Sequence, residues 1–132
     1  MKLQDFDFRV WSKLENGFIE YPALAKLKSV LPAKSHYVDE LIPCIKFDER
    51  DDEKELELWT GIYDENGKKI YENDILEFFD YEEGYRIIQV QYNTDYGFFY
   101  KENYYIEKIN NIDNKEFIIL GNIHENPELL KC

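Results

Sequence analysis

The chain has 132 residues, enough for one domain with a real core and too few for two. It carries 28 acidic against 16 basic side chains, a net charge of -12, which favours solubility and disfavours phosphate backbones and anionic membranes. No apolar run reaches membrane-spanning length, the stretch from Met1 to Asp7 has no signal-peptide apolar core, and Cys44 and Cys132 are not expected to pair, so a reducing cytoplasmic location is expected.

In chain order, Asp5 to Trp11 alternates polar and apolar positions and reads as a strand with one buried face. Asn16-Gly17 turns it into a hairpin, and Phe18 to Tyr21 returns as far as Pro22. Ala23 to Leu31 is spaced for one short helix, ended by Pro32. His36 to Phe47 holds a loop and a short strand. Asp48 to Glu55 is a charge run, read as a solvated loop, with docking to a basic surface as the sharper alternative. It lacks the spacing of a calcium loop.

The stretch from Trp59 to Leu76 organises the rest. Two extended arms flank Asp64-Glu65-Asn66-Gly67, a strong hairpin signal because Asn66 and Gly67 both tolerate positive φ. Asp64 is placed to accept backbone amides of the turn. Gly61 inside the first arm marks a bulge. Asn73 is an expected left-handed residue in the bend Glu72-Asn73-Asp74; Glu72 and Asp74, with Tyr71, are the best candidates for an acid pair in a cleft, but bend carboxylates of this kind are expected to cap backbone amides instead. Strands follow at Ile75–Phe79, Tyr85–Tyr92, Phe98–Tyr100 and Tyr104–Ile109. The last, Glu116 to Ile123, is apolar on consecutive positions and so expected to be central. Pro127 ends regular structure, and Glu128-Leu129-Leu130 is expected to add a helical turn.

Three segments together carry a resemblance. Phe8-Arg9-Val10-Trp11, the run Trp59-Thr60-Gly61-Ile62-Tyr63-Asp64 through Asn66-Gly67 and Ile70-Tyr71-Glu72-Asn73-Asp74-Ile75-Leu76, and Gly121-Asn122-Ile123-His124-Glu125-Asn126-Pro127-Glu128-Leu129-Leu130 are similar to the ordered motifs of the YopX family, small proteins of bacteriophages and prophages. Asn73 stands where that family usually has glycine. The resemblance implies a mainly β (β-rich α+β) fold: one domain over residues 1–132, with an N-terminal hairpin and variable segment (1–58), one or two short helices, and a small SH3-like barrel or roll in residues 59–123 of a core that runs to 130. Its fold motif comprises Trp11, Trp59, Thr60, Gly61, Asp64, Asn66, Gly67, Ile70, Tyr71, Glu72, Asp74, Ile75, Gly121, Asn122 and Pro127. It implies no catalytic residue.

The residues themselves assign no catalytic, cofactor-binding or metal position. His36, His124, Cys44 and Cys132 lack the close spacing of a zinc motif. No phosphate-binding glycine loop occurs. Trp59, Tyr63, Tyr71, Phe98, Phe99 and Tyr100 could form a stacking platform for single-stranded nucleic acid, but only Arg86, Lys101 and Lys108 flank the last three, and core packing is the simpler role. The expectation is a non-enzymatic phage accessory protein that binds a protein or self-associates. The alternatives are nucleic-acid binding through the aromatics and an acidic surface imitating DNA.

Overall fold

A computed structural model describes residues 2–22, 24–25, 45–46, 53–102, 105–109 and 116–131. Strands dominate these residues: β1 (Phe8–Ser12), β2 (Gly17–Phe18), β3 (Leu24–Ala25), β4 (Ile45–Lys46), β5 (Lys54–Tyr63), β6 (Lys69–Tyr71), β7 (Asp74–Asp80), β8 (Gly84–Gln89), β9 (Gln91–Asn93), β10 (Gly97–Glu102), β11 (Tyr105–Lys108) and β12 (Ile118–Asn122). The helical pieces among them are short 3-10 turns at Leu3–Asp5 and Pro127–Leu130. The described residues are mainly β. Two units are distinguished, Arg9–Leu56 and Met1–Phe8 with Glu57–Cys132.

In the Arg9–Leu56 unit, β2 pairs with β1 in antiparallel register, Trp11 opposite Phe18 and Ser12 opposite Gly17. The turn follows the Asn-Gly signal, with Asn16 itself at φ 53 and the Ser12 hydroxyl accepting the Glu15 amide at 3.2 Å. Buried Trp11 meets Phe18 edge to face at 5.1 Å, and the Arg9 guanidinium lies 4.5 Å from that ring's centroid.

The other unit holds the core. Ile70, Leu76, Phe78, Ile88, Val90, Tyr100, Ile109 and Phe117 cluster together, with Phe78 edge to face against both Phe117 and Tyr100. Each such side chain contributes about 1.5–3 kcal/mol by leaving water. Strand order is β12-β7-β8 in one sheet and β11-β10-β9 in another. Leu76 pairs with both Ile119 and Ile88, which sets the buried face of the first sheet.

Several expectations change. The first strand begins at Phe8, because Leu3–Asp5 forms a 3-10 turn and Asp7 turns its carboxylate onto the Phe8 amide at 2.8 Å. The returning arm is only Gly17–Phe18; one further bond joins Ile19 N to Val10 O, and Tyr21, at φ 54, leaves the extended region before Pro22. Leu24–Ala25, expected to start a helix, is a strand parallel to Ile45–Lys46: cross-strand pairing overrides a weak local preference. The rest of that helix, His36, Cys44, Cys132 and the charge run from Asp48 to Asp52 lie outside the described residues. Lys54 and Glu55, taken as loop, belong to β5.

In the central turn only Gly67 adopts positive φ (80°), so Asn66 does not take the second left-handed position. The expected strand Tyr85–Tyr92 divides at Val90, whose backbone turns to the 72–74 bend. Among the described residues, the last strand, β12, stands at the edge of its sheet order with β7 in the centre. A register shift falls between Ile119 and Gly121.

Candidate functional site: a buried polar hub and an exposed aromatic tip

The hub is built on the bend between β6 and β7. Asn73 takes φ 70, a region open to Asn at small cost. Its amide donates to Val90 O at 2.7 Å and its carbonyl accepts from Ile123 N at 3.1 Å. Its side chain works on both sides: Nδ2 donates to Glu57 Oε2 at 2.5 Å, and Oδ1 accepts from Gln89 Nε2 at 3.3 Å. The same Glu57 oxygen lies 2.8 Å from His124 Nε2, with side-chain exposures of 1% and 10% for Glu57 and His124. Which of the two donates follows from the tautomer of the imidazole. Asp74, also buried, accepts the Tyr71 amide at 2.8 Å and closes the bend, as expected of it.

Two turns hold this hub. Thr60 bridges the bulge at Gly61 (φ 87): its hydroxyl donates to Ile70 O at 2.8 Å and accepts from Ile62 N at 3.2 Å. Asp64 Oδ1 accepts from Asn66 N and Lys68 N at 2.9 and 2.8 Å, while its Oδ2 accepts from Ile119 N at 3.2 Å, so one carboxylate closes the turn and clips it to β12. Downstream, Asn122 Oδ1 accepts from His124 N and Glu125 N at 3.0 and 2.9 Å. Asn126 folds back, its amide donating to Asn122 O at 2.8 Å, and its side chain fills the space beside Gly121, where a Cβ would lie 2.2 Å from Asn126 Oδ1. Pro127 then opens the 3-10 turn.

A second polar cluster ties residue 7 to β6. Asp7 Oδ2 accepts from Lys69 Nζ and Tyr71 Oη, each at 2.8 Å, and Lys69 lies 4.6 Å from the Trp59 ring centroid. Burial pushes the Asp7 carboxyl up, but the hydrogen bonds from Lys69, Tyr71 and the Phe8 amide, with the Lys69 charge, outweigh it and hold the pKa below the ordinary value. The Asp7 bond raises Lys69 correspondingly, against a smaller opposing effect of burial.

The exposed feature is the far end of the β7–β8 hairpin. Asp80 Oδ1 accepts from Glu82 N at 2.8 Å and Glu83 N at 3.3 Å, and Gly84 at φ 83 completes the turn. Phe79 pairs in register with Tyr85, and Glu77 with Ile87. Phe79 packs edge to face against Tyr81 at 5.5 Å and Tyr85 at 5.2 Å. Phe79, Tyr81, Tyr85 and Ile87 expose 45%, 92%, 75% and 47% of their surface. Arg86, on the other face, is 10% exposed and pairs with Asp80, Glu83 and Glu102.

The bend, the 64–68 turn and the 121–127 clasp are thus one assembly, and the family model described as YopX protein matches residues 7–131. The chain belongs to the YopX family. Among solved structures, the crystal structure of protein EF1440 from Enterococcus faecalis superposes with a TM-score of 0.60, covering 96% of this chain and 98% of that chain at 21% identity, a likeness of fold. No curated protein matches.

The YopX motif residues named from sequence have these places in the structure. Ile70 and Ile75 are fully buried, Thr60 and Gly61 form the bulge, and Gly121, Asn122 and Pro127 shape the clasp. Trp59 donates Nε1–H to Ile62 O at 3.1 Å, and Glu72 N donates to Leu58 O at 2.9 Å. Of the six aromatics considered as a stacking platform, Phe99 and Tyr100 are buried and Phe98 packs on the core. Sequence reasoning missed Glu57, Gln89 and the Glu57 partnership of His124. Around Glu57 the usual alternation is inverted: Leu56 is 39% exposed while Glu57 is sealed. The aromatic tip was missed too, although Phe78-Phe79 and Tyr85 beside Ile87 put apolar residues on a second face of one hairpin.

Proposed function

We propose that this YopX protein is a non-enzymatic interaction module of a phage or prophage, acting in the bacterial host cytoplasm, and that it binds a protein through the aromatic end of the β7–β8 hairpin on its SH3-like roll. The observation that carries this reading is the exposure of Phe79, Tyr81, Tyr85 and Ile87 together on one hairpin end. Exposed contiguous aromatics rimmed by polar residues are the composition of interface centres. The hub supports the same reading: its hydrogen bonds join β5, the bend, β8 and the 122–125 turn, a scaffolding role, and it gives the hairpin a fixed base.

The test compares nuclease-treated pull-downs by the tagged protein and by its Tyr81→Ala/Tyr85→Ala variant, which the exposure of both rings leaves folded. A stoichiometric protein retained by the parent and lost by the variant is expected. Equal recovery by both, or recovery abolished by nuclease, overturns the reading.

A further inference from the structure

Resting on that reading, we infer that the segment bound at the β7–β8 end is cationic, a stretch of the partner protein that lays Lys or Arg side chains on the Tyr81 and Tyr85 rings beside the carboxylates of the turn. Three observations converge on this chemistry. The rings come first. Aromatic faces carry negative potential and attract ammonium or guanidinium groups, and the two tyrosines are the most exposed members of a three-ring cluster around Phe79.

The local charge comes second. From Glu77 to Ile87 the chain carries Glu77, Asp80, Glu82 and Glu83 against a single cation, Arg86. Arg86 is held by Asp80 at 3.8 Å, by Glu83 at 2.9 Å and by Glu102, and four acids against one cation leave this stretch of the sequence acidic. A second copy of this chain, at net charge -12, brings like charge to that end, and a phosphate backbone does the same. A cationic peptide meets the complementary field.

The third observation is that this chain already uses the pairing. Lys69 lies 4.6 Å from the Trp59 ring centroid while bonded to Asp7 at 2.8 Å, and Arg86 lies 6.0 Å from the Phe78 centroid while paired with carboxylates. A cation over a ring with an acid beside it is the arrangement that Tyr81, Tyr85 and Glu82 would offer to an incoming side chain.

The experiment is an NMR titration of the full chain with blocked hexa-arginine, with hexaglutamate and oligothymidylate as counter-probes. Shift changes centred on Phe79, Tyr81, Tyr85 and Ile87 are expected with hexa-arginine alone, weakening as salt rises. Tyr81→Ala/Tyr85→Ala should weaken binding at least tenfold, and Glu82→Gln by about two- to threefold. Absence of hexa-arginine shifts at the tip, shifts spread over the surface that the double variant leaves unchanged, or an equal response to oligothymidylate each overturn the inference. The two ideas separate cleanly. A protein captured through Tyr81 and Tyr85 whose contacting segment lacks Lys and Arg defeats the cationic inference alone; capture indifferent to both tyrosines defeats the interaction reading as well.

Discussion

Glu57 and His124 are 67 positions apart in the chain, yet Glu57 Oε2 and His124 Nε2 meet at 2.8 Å. The Glu57 side chain is sealed from water, and the His124 imidazole and the Asn73 side-chain amide both bond to it there. Glu57→Ala removes the shared partner and opens a cavity, and should cost about 2–4 kcal/mol. Glu57→Gln keeps an acceptor and should cost less. Urea unfolding of both variants, combined with His124→Ala in a double-mutant cycle, reads the coupling directly.

Asn73 separates two demands made on one residue. Asn73→Gly retains access to φ 70 but loses both side-chain bonds, and should destabilise by about 1–2 kcal/mol. Asn73→Ala loses the same bonds and adds left-handed strain of about 1 kcal/mol. The order parent, glycine, alanine in denaturation midpoint is therefore expected, and a glycine variant equal to the parent would show that the side-chain bonds contribute nothing.

The Asp7 cluster predicts an acid-side dependence. The folded pKa of Asp7 lies below the ordinary 3.8, so folding is favoured by its ionisation. That contribution is present above 3.8 and is lost as pH falls through the lower folded value. Thermal melts of the parent and of Asp7→Asn should differ at neutral pH and converge below the ordinary carboxylate range. Lys69, raised in the fold, acts oppositely: its contribution holds below 10.5 and fades as pH climbs through the higher folded value. The pair is over a third exposed, so both effects are small and should shrink with added salt.

Gly121 is required by space rather than by backbone angle. In Gly121→Ala the new methyl meets the Asn126 side chain at 2.2 Å, which must swing away and give up its bond to the Asn122 amide. A loss of about 1–3 kcal/mol is expected. Combining it with Asn126→Ala, which removes the atoms at 2.2 and 2.6 Å and leaves Cβ at 2.9 Å, should recover part of that loss in the same unfolding assay.

The residues that shape turns were legible from sequence because their signals are local. Asp64, Gly61, Asn73 and Asn16-Gly17 act on their own or neighbouring backbone, and each stands as expected, apart from Asn66. Position within a sheet was not legible. Val90 reads as one more residue of a β-branched strand, and only the distant Asn73 and Asp74 backbone diverts it. Glu57 was hidden for a related reason: it follows a charge run, so its carboxylate looked solvated, and the imidazole that pairs with it lies far along the chain. Phe79 and Tyr85 looked like ordinary strand aromatics, because outward-facing rings have the same spacing as buried ones, and Tyr81 looked like a turn residue.

The Glu57–His124 contact also bears on synthesis. Ribosomes make Glu57 67 residues before its imidazole, so every nascent or C-terminally clipped chain that stops short of His124 carries this carboxylate without that partner. A chain cut before His124 would bury Glu57 without one of its bonds, at a cost in stability.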